Sequence, residues 1–363
     1  MRIALLSYST KPRGGVVHTL ALAEALAAQG QDVTVWSLGR GGDAGFFRPV
    51  DPAVTVRLVP FPDGPAGEGT GARILRSIAV LREAFAPHAG SYDIVHAQDC
   101  ISANAAGPCV RTVHHIDHFT TPELAACHER AITEPYAHVC VSAAVAAELA
   151  DGWGLRARVI PNGVDAARFA AADPAARDRL RARLGRYVLT VGGIEPRKGS
   201  LDLLEAYALL RERVPGIALA IAGGETLFDY RDYRAAWERR AAELGVEPVV
   251  LGAVPDDDLP PLVAGAAAFA FPSVKEGFGL AAMEALAAGV PLVVRDLPVL
   301  REVFGPAARF AAGPRDLADR LAEALDGPDP ARRAAGTALA ARHTWAEAAR
   351  RHLDFYAQLP VRA

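Results

Sequence analysis

The chain has 363 residues, enough for two domains at roughly 100–200 residues each. Hydrophobic residues make up 51% and charged residues 22%, which excludes a mainly disordered chain. The formal charge of −3 gives no bulk attraction for nucleic acid, so none is expected as a partner. Met1–Tyr8 reads as a buried strand rather than a signal peptide, since its apolar run is short and no small-residue cleavage site follows. No run of about 18 apolar residues is present to span a membrane. The expected location is the cytoplasm, with peripheral attachment at the inner membrane face kept open.

Short apolar runs alternate with longer amphipathic or alanine-rich runs, the pattern of repeated βα units around a parallel sheet. In chain order, Arg2–Ser7 reads as a strand, Gly15–Gln29 as a helix, and Asp32–Ser37 and Val54–Val59 as strands. Phe61–Gly71 is rich in Gly and Pro and reads as an exposed loop. Ala72–Pro87 reads as a basic amphipathic helix, with Arg73, Arg76 and Arg82 around Ile74, Leu75, Ile78, Leu81 and Phe85. Such a helix can lie on anionic lipid, but packing of its apolar face into its own domain is the favoured reading. Strands follow at Asp93–His96, Arg111–His114, His138–Val141 and Arg158–Ile160.

The turn Pro161-Asn162-Gly163 and a charged helix, Ala175–Leu184, mark a junction over Pro161–Arg186. A second series of strands is expected at Val188–Val191, Ala218–Ala222, Val249–Leu251, Ala268–Phe271 and Pro291–Val294. Helices fall between them at Ser200–Arg213, Tyr230–Leu244 and Leu280–Ala288, and His343–Leu359 reads as a final amphipathic helix. Two doubly wound sheets in tandem are the natural assembly.

Three strand-to-helix loops carry residues suited to anions, and they contain the chain's three lysines, Lys11, Lys198 and Lys275. In Ser9–Gly15, the pair Gly14 and Gly15 lets backbone N–H groups approach a ligand, although a plain turn explains the loop equally well. It matches neither the G-x-G-x-x-G fingerprint nor a Walker loop. In Val191–Gly199, Arg197 and Lys198 stand at a helix start, where a planar fork and a point charge together suit a diphosphate. In Pro272–Glu284, Glu276 and Glu284 flank Gly277, Phe278, Gly279 and Leu280. A glycosidase-like pair needs carboxyls roughly 5–5.5 Å apart. Eight helical residues rise about 12 Å, so these two suit the ends of a long ligand, with backbone N–H groups meeting phosphate between them. The competing reading makes Glu276 a helix-start carboxylate and Glu284 a surface residue.

The run Asp256-Asp257-Asp258 holds a D-x-D spacing that marks metal sites elsewhere, but it precedes an apolar run and reads as a helix cap. Cys100, Cys109, Cys127 and Cys140 lie among six histidines, a cluster that raises zinc as a reading. The spacing fits no common zinc pattern, so small buried thiols and histidines with separate tasks are expected.

Taken together and in this order, these segments resemble retaining glycosyltransferases of the GT-B architecture, family 4, the group of glycogen synthases and phosphatidylinositol mannosyltransferases. The Glu276-x7-Glu284 element after Phe271-Pro272-Ser273 is the most specific part. Pro161-Asn162-Gly163-Val164-Asp165 and Leu251-Gly252-Ala253-Val254 also match. The resemblance implies two Rossmann-like doubly wound domains facing across a cleft. Residues 1–164 would bind the acceptor and 165–342 the nucleotide sugar, with a helix in 343–363 crossing back to the first domain.

It implies residue roles as well. Glu284 would hold ribose hydroxyls, Glu276 the donor sugar, and Arg197 and Lys198 the diphosphate. Gly277, Phe278, Gly279, Leu280 and Val254 would complete the donor site, with Gly14 and Gly15 cradling phosphate or sugar from the other domain. His114 would line the donor-sugar pocket, and Lys11, His115, Asp117 and His118 would reach the acceptor. Family members often carry an arginine where this chain has Gly193, and Arg197 is the candidate replacement. The expected reaction moves a hexosyl group from a nucleoside diphosphate sugar to a small-molecule, glycan or glycolipid hydroxyl, with retention, no cofactor and no metal. The alternatives are an epimerase or hydrolase using the same donor site, or a non-catalytic nucleotide-sugar binder.

Overall fold

In the computed structural model the described residues are 1–65, 67–117, 119, 121–223 and 230–359. His118, expected near the acceptor, lies outside them. The chain forms two compact units, residues 1–163 with the chain from Trp345 onward, and Val164–Thr344.

The strands of the first unit are β1 (Arg2–Leu6), β2 (Asp32–Arg40), β3 (Val54–Phe61), β4 (Ile94–Ala97), β5 (Val110–Val113), β6 (Ala137–Cys140) and β7 (Arg158–Val159). They form one parallel sheet in the order β3-β2-β1-β4-β5-β6-β7. Ile3, Ala4, Leu5 and Leu6 are all fully buried, as a strand covered on both faces requires. The order reverses between β1 and β4, which opens a crevice at the carboxyl ends of these strands. Helix α1 (Gly14–Ala28) starts at that edge and buries Val16, Leu20, Leu22 and Leu26. Helix α2 (Thr70–Phe85) buries Ile74, Ile78, Leu81 and Phe85, so its apolar stripe is used inside its own unit. Its arginines fold back too: Arg76 holds Glu68, and Arg82 donates to the Asn104 carbonyl.

In the second unit β8 (Tyr187–Val191), β9 (Ala218–Ala222), β10 (Val249–Gly252), β11 (Ala268–Phe271), β12 (Leu292–Arg295) and β13 (Ala308–Ala311) make a parallel sheet ordered β10-β9-β8-β11-β12-β13. Strand β13 has no counterpart in the sequence reading. Arg309 interrupts its apolar run, and this edge position is stabilised by an ion pair to Asp329 at 3.1 Å. No helix among the described residues is long and apolar enough to cross a membrane.

The last helix, Trp345–Tyr356, belongs to the first unit and buries Ala348, Ala349, His352 and Tyr356. The Tyr356 hydroxyl lies 2.6 Å from His96 Nδ1, and the other ring nitrogen of His96 is 2.7 Å from the Thr112 hydroxyl. On α1, His18 bonds Asn162 Oδ1 at 2.9 Å and packs edge-on against Trp345 at 5.4 Å between ring centres. One buried imidazole thus fixes both segments of this unit that adjoin the boundary with Val164–Thr344. Tyr356→Phe should strand a buried ring nitrogen of His96 and cost about 1–3 kcal/mol of stability. Chemical denaturation of the full chain reads this; an unchanged midpoint would show that the contact does not hold the helix.

Candidate active site

The carboxyl ends of β8 and β11 adjoin in the second sheet, at the point where its strand order reverses. After β8 the chain passes Gly192 and Gly193, makes a tight turn at Pro196–Lys198, and enters the helix Ser200–Arg213 through Gly199. Gly199 has φ +64°, and a side chain there would run into the Pro272 carbonyl. That close approach docks the Arg197–Lys198 turn onto the loop after β11, where Val274 N–H donates to the Arg197 carbonyl at 2.9 Å.

Three charges meet as a result. Lys198 Nζ donates to Glu276 Oε1 at 2.6 Å, and Arg197 Nη1 reaches the same oxygen at 3.1 Å. Arg197 also pairs with Glu195 at 3.3 Å and donates to the Lys275 carbonyl at 3.2 Å. The side chains of Lys198 and Glu276 are only 20% and 10% exposed, so their attraction is weakly screened. Removing the Glu276 carboxylate would leave Lys198 without this ion-pair partner, and breaking a buried pair in this way typically costs about 3–5 kcal/mol. Beside Lys198 a small cleft is lined by Gly192, Gly193, Phe271 and Ser273. The Ser273 hydroxyl is buried and has no hydrogen-bond partner among the described residues.

Gly277, Phe278 and Gly279 lead into the helix Leu280–Ala287. Phe278 is buried and packs against His343 at 5.7 Å between ring centres, so it can offer a ligand only its backbone. Gly279 has φ +97°, and an added Cβ would sit 3.1–3.2 Å from Phe271 and Phe304. The helix start has no acidic residue and no side-chain cap, which leaves its first N–H groups for an anion.

Glu284, one turn into this helix, is half-buried, and its carboxyl makes no hydrogen bond or ion pair with a described residue. Burial pushes its carboxyl up to about 8; the Arg168 cation opposes this and the Asp256 charge adds to it. The surface reading of Glu284 therefore fails. The capping reading of Asp256–Asp258 also fails. These residues form a 3-10 turn without a side-chain cap, and the Asp256 carboxylate is held by Arg168 at 2.7 Å. Val254 is half-buried just after β10.

In the first unit Gly14 opens α1, and a Cβ at Gly15 would lie 3.8 Å from the His114 ring. Burial lowers the His114 pKa to about 3, with His115 and Arg111 adding to the effect, so the ring is neutral at ordinary pH. Its Nε2 is buried without a partner among the described residues. His115 pairs with Asp117 at 3.2 Å. Lys11 pairs with Asp43 at 3.0 Å. Cys100, Cys109, Cys127 and Cys140 are free thiols, and His138 bonds the Ile132 carbonyl. Among the described residues no group of three or more His, Cys, Asp and Glu side chains is placed to hold a metal ion.

Sequence reasoning passed over Ser273, Arg168 and Gln98. Ser273 ends the Phe271-Pro272-Ser273 segment but carries no charge that would mark it. Arg168 follows Asp165 by three positions, yet its contact with Asp256 spans 88 residues. Gln98, next after β4, is 1% exposed with both amide atoms unsatisfied among the described residues, and nothing local signals that.

A stability prediction follows from Glu284. Its folded pKa of about 8 exceeds the ordinary 4.5, so the folded chain holds this proton to higher pH than the unfolded chain does. That contribution is complete below the unfolded value and is lost as pH rises through the folded one. Glu284→Gln should therefore shrink the fall in Tm between about pH 5 and about pH 9. Identical falls in variant and parent would overturn the buried-carboxyl assignment.

Residues 176–351 match the family described as Glycosyl transferases group 1, and residues 12–168 match Glycosyltransferase Family 4. The phosphatidyl-myo-inositol mannosyltransferase of Mycolicibacterium smegmatis is 32% identical over 356 residues, covering 90% of this chain and 84% of that one. The D-inositol 3-phosphate glycosyltransferase of Salinispora arenicola is 30% identical over 345 residues, covering 80% and 76%. Among solved structures, Anabaena HepE in complex with UDP and glucose superposes with a TM-score of 0.74 at 20% identity, over 99% of this chain and 100% of that one. With its two Rossmann-like parallel sheets and its GT-B structural neighbours, the chain belongs to glycosyltransferase family 4.

Proposed function

We propose that this chain transfers a hexosyl group from a nucleoside diphosphate sugar to an acceptor hydroxyl, with retention at the anomeric carbon and without a metal ion. The observation that carries the reading is the meeting of Lys198, Arg197 and Glu276 beside an uncapped helix start, with Glu284 one turn further along. The Mycolicibacterium relative is named a mannosyltransferase, and the Anabaena structure contains UDP and glucose. Both fit a hexosyl donor on a nucleotide.

The groups divide the donor between them. Glu284, once its proton is lost, accepts hydrogen bonds from the two ribose hydroxyls. The N–H groups of Gly277–Leu280 and the cations Lys198 and Arg197 receive the diphosphate. Glu276 keeps both cations in place before the donor arrives and then faces the sugar hydroxyls. During transfer the bond from the anomeric carbon to the diphosphate oxygen breaks, and its electron pair stays on the leaving group. Fixed cations and backbone dipoles stabilise that charge as it develops. The acceptor oxygen bonds the anomeric carbon on the face the phosphate leaves, and its proton passes to the departing phosphate oxygen. Neutral His114, in the first unit, can offer a ligand there a hydrogen bond without adding charge. The acceptor is a small molecule, glycan or glycolipid.

Product assays with UDP-, GDP- and ADP-hexoses in the presence of EDTA test this. Lys198→Ala should slow transfer by about 100-fold or more, the usual loss of one charge-stabilising donor. Inversion at the anomeric carbon, or abolition of activity by EDTA, would contradict the proposal. Donor consumption that needs no acceptor would favour a hydrolase or epimerase instead.

A further inference from the structure

A third segment of the second unit acts on Glu284, besides the loops after β8 and β11. It is the short helix Ala166–Ala170, near the start of that unit. The Asp165 carboxylate caps it by accepting from the Arg168 N–H at 3.0 Å. Phe169 is buried beneath it, and the helix packs against Leu280–Ala287, which carries Glu284.

Arg168 Nη2 donates to the Asp256 carbonyl at 2.5 Å and to Asp256 Oδ2 at 2.7 Å. One nitrogen thus grips both the main chain and the side chain of the turn Asp256–Asp258, which follows β10 and Val254. The two side chains are 31% and 19% exposed, so their attraction is only partly screened. Arg168 Nε and Nη1 bond no described residue. Burial pushes the Glu284 carboxyl up, the Arg168 cation opposes this and the Asp256 charge adds to it. The other elements packed on the Glu284 helix direct their charges elsewhere. Leu259–Gly265 has no ionisable side chain. Arg295, which ends β12, pairs with Asp202. Helix Pro330–Arg342 sets Gly336 against Leu286 and Arg333 against Gly289, beyond the end of the Glu284 helix. His343 sits against Phe278.

A carboxylate accepts from two hydroxyls at once only when ionised, and a desolvated carboxyl ionises more readily when a cation acts on it. We infer that Arg168 is a positioning residue for the nucleoside end of the donor: it clamps the turn after β10 through Asp256 and supplies the cation that acts on Glu284, which receives the ribose. This rests on the donor reading above and adds to it a residue outside the loops after β8 and β11. Arg168 works through its two neighbours rather than by touching the nucleotide.

Calorimetric titration of UDP, GDP and ADP into the full chain between about pH 6 and about pH 9 tests this. The parent should bind one of the three, more tightly as pH rises and Glu284 ionises. Arg168→Gln should weaken that nucleotide about tenfold and move the rise to higher pH. Arg168→Lys keeps the cation and loses the planar fork, so it should bind more weakly with the parent's pH profile. Asp256→Asn removes the opposing anion and should move the rise to lower pH. A clamp with no electrostatic part would weaken all three variants on one unchanged pH profile. That result, or parent affinity in Arg168→Gln, would overturn the inference. Melting of the ligand-free proteins detects a folding defect and gives a second reading. Loss of Arg168 raises the folded pKa of Glu284, so the fall in Tm with pH should move to higher pH in Arg168→Gln. An unmoved fall would also overturn the inference. If the parent binds none of the three nucleotides, the donor reading fails and takes this inference with it, whereas unchanged variants of a binding parent count against Arg168 alone.

Discussion

Both sheets are parallel throughout, and that constraint arranges the rest of the molecule. A parallel pair needs a crossover between its strands, so the loops that leave the strands all collect on one edge of each sheet. Where strand order reverses, between β1 and β4 and between β8 and β11, neighbouring loops diverge and leave room for a ligand. Three buried side chains with polar atoms that lack a hydrogen-bond partner among the described residues lie just after strands of these sheets. Gln98 follows β4 and His114 follows β5, while Ser273 follows β11. Buried polar groups normally find partners, so a ligand bound beside these loops could satisfy them.

The second unit shows how charge is prepared in advance. Lys198 and Arg197 are anchored by Glu276 in a weakly screened setting, and the anchoring depends on Gly199 allowing one loop to touch the other. A site so fixed needs little reorganisation when charge develops on a leaving group. Glu284 is prepared differently. Its desolvated carboxyl has no hydrogen-bond or ion-pair partner among the described residues, a costly state that hydroxyl donors from a ligand would relieve. The first unit is preorganised by neutral histidines. Burial keeps the His18, His96, His114 and His352 rings uncharged, and their contacts tie α1, the sheet and the last helix together.

Much of this was legible in the residues. Apolar runs such as Ile3–Leu6 and Ala268–Phe271 are buried on both faces, so their character does not depend on distant contacts. The glycine-bearing loops and their cations are local too. What escaped was set by tertiary neighbours. Strand β13 was hidden by Arg309, whose ion pair with Asp329 makes it acceptable at a sheet edge. Asp256 looked like a cap because Arg168, distant in sequence, could not be placed against it. Glu284 was ambiguous because a carboxylate on a helix has the same spacing whether its neighbours are water or protein.

The central claim is that the loops after β8 and β11 hold a nucleoside diphosphate through Lys198 and its neighbours. Calorimetric titration of UDP, GDP and ADP into the parent and Lys198→Ala proteins, with EDTA present, tests it most directly. The account predicts one-to-one binding of one of these nucleotides to the parent, weakened about tenfold or more by the substitution. Binding of none of the three, or equal affinity in the two proteins, would contradict it.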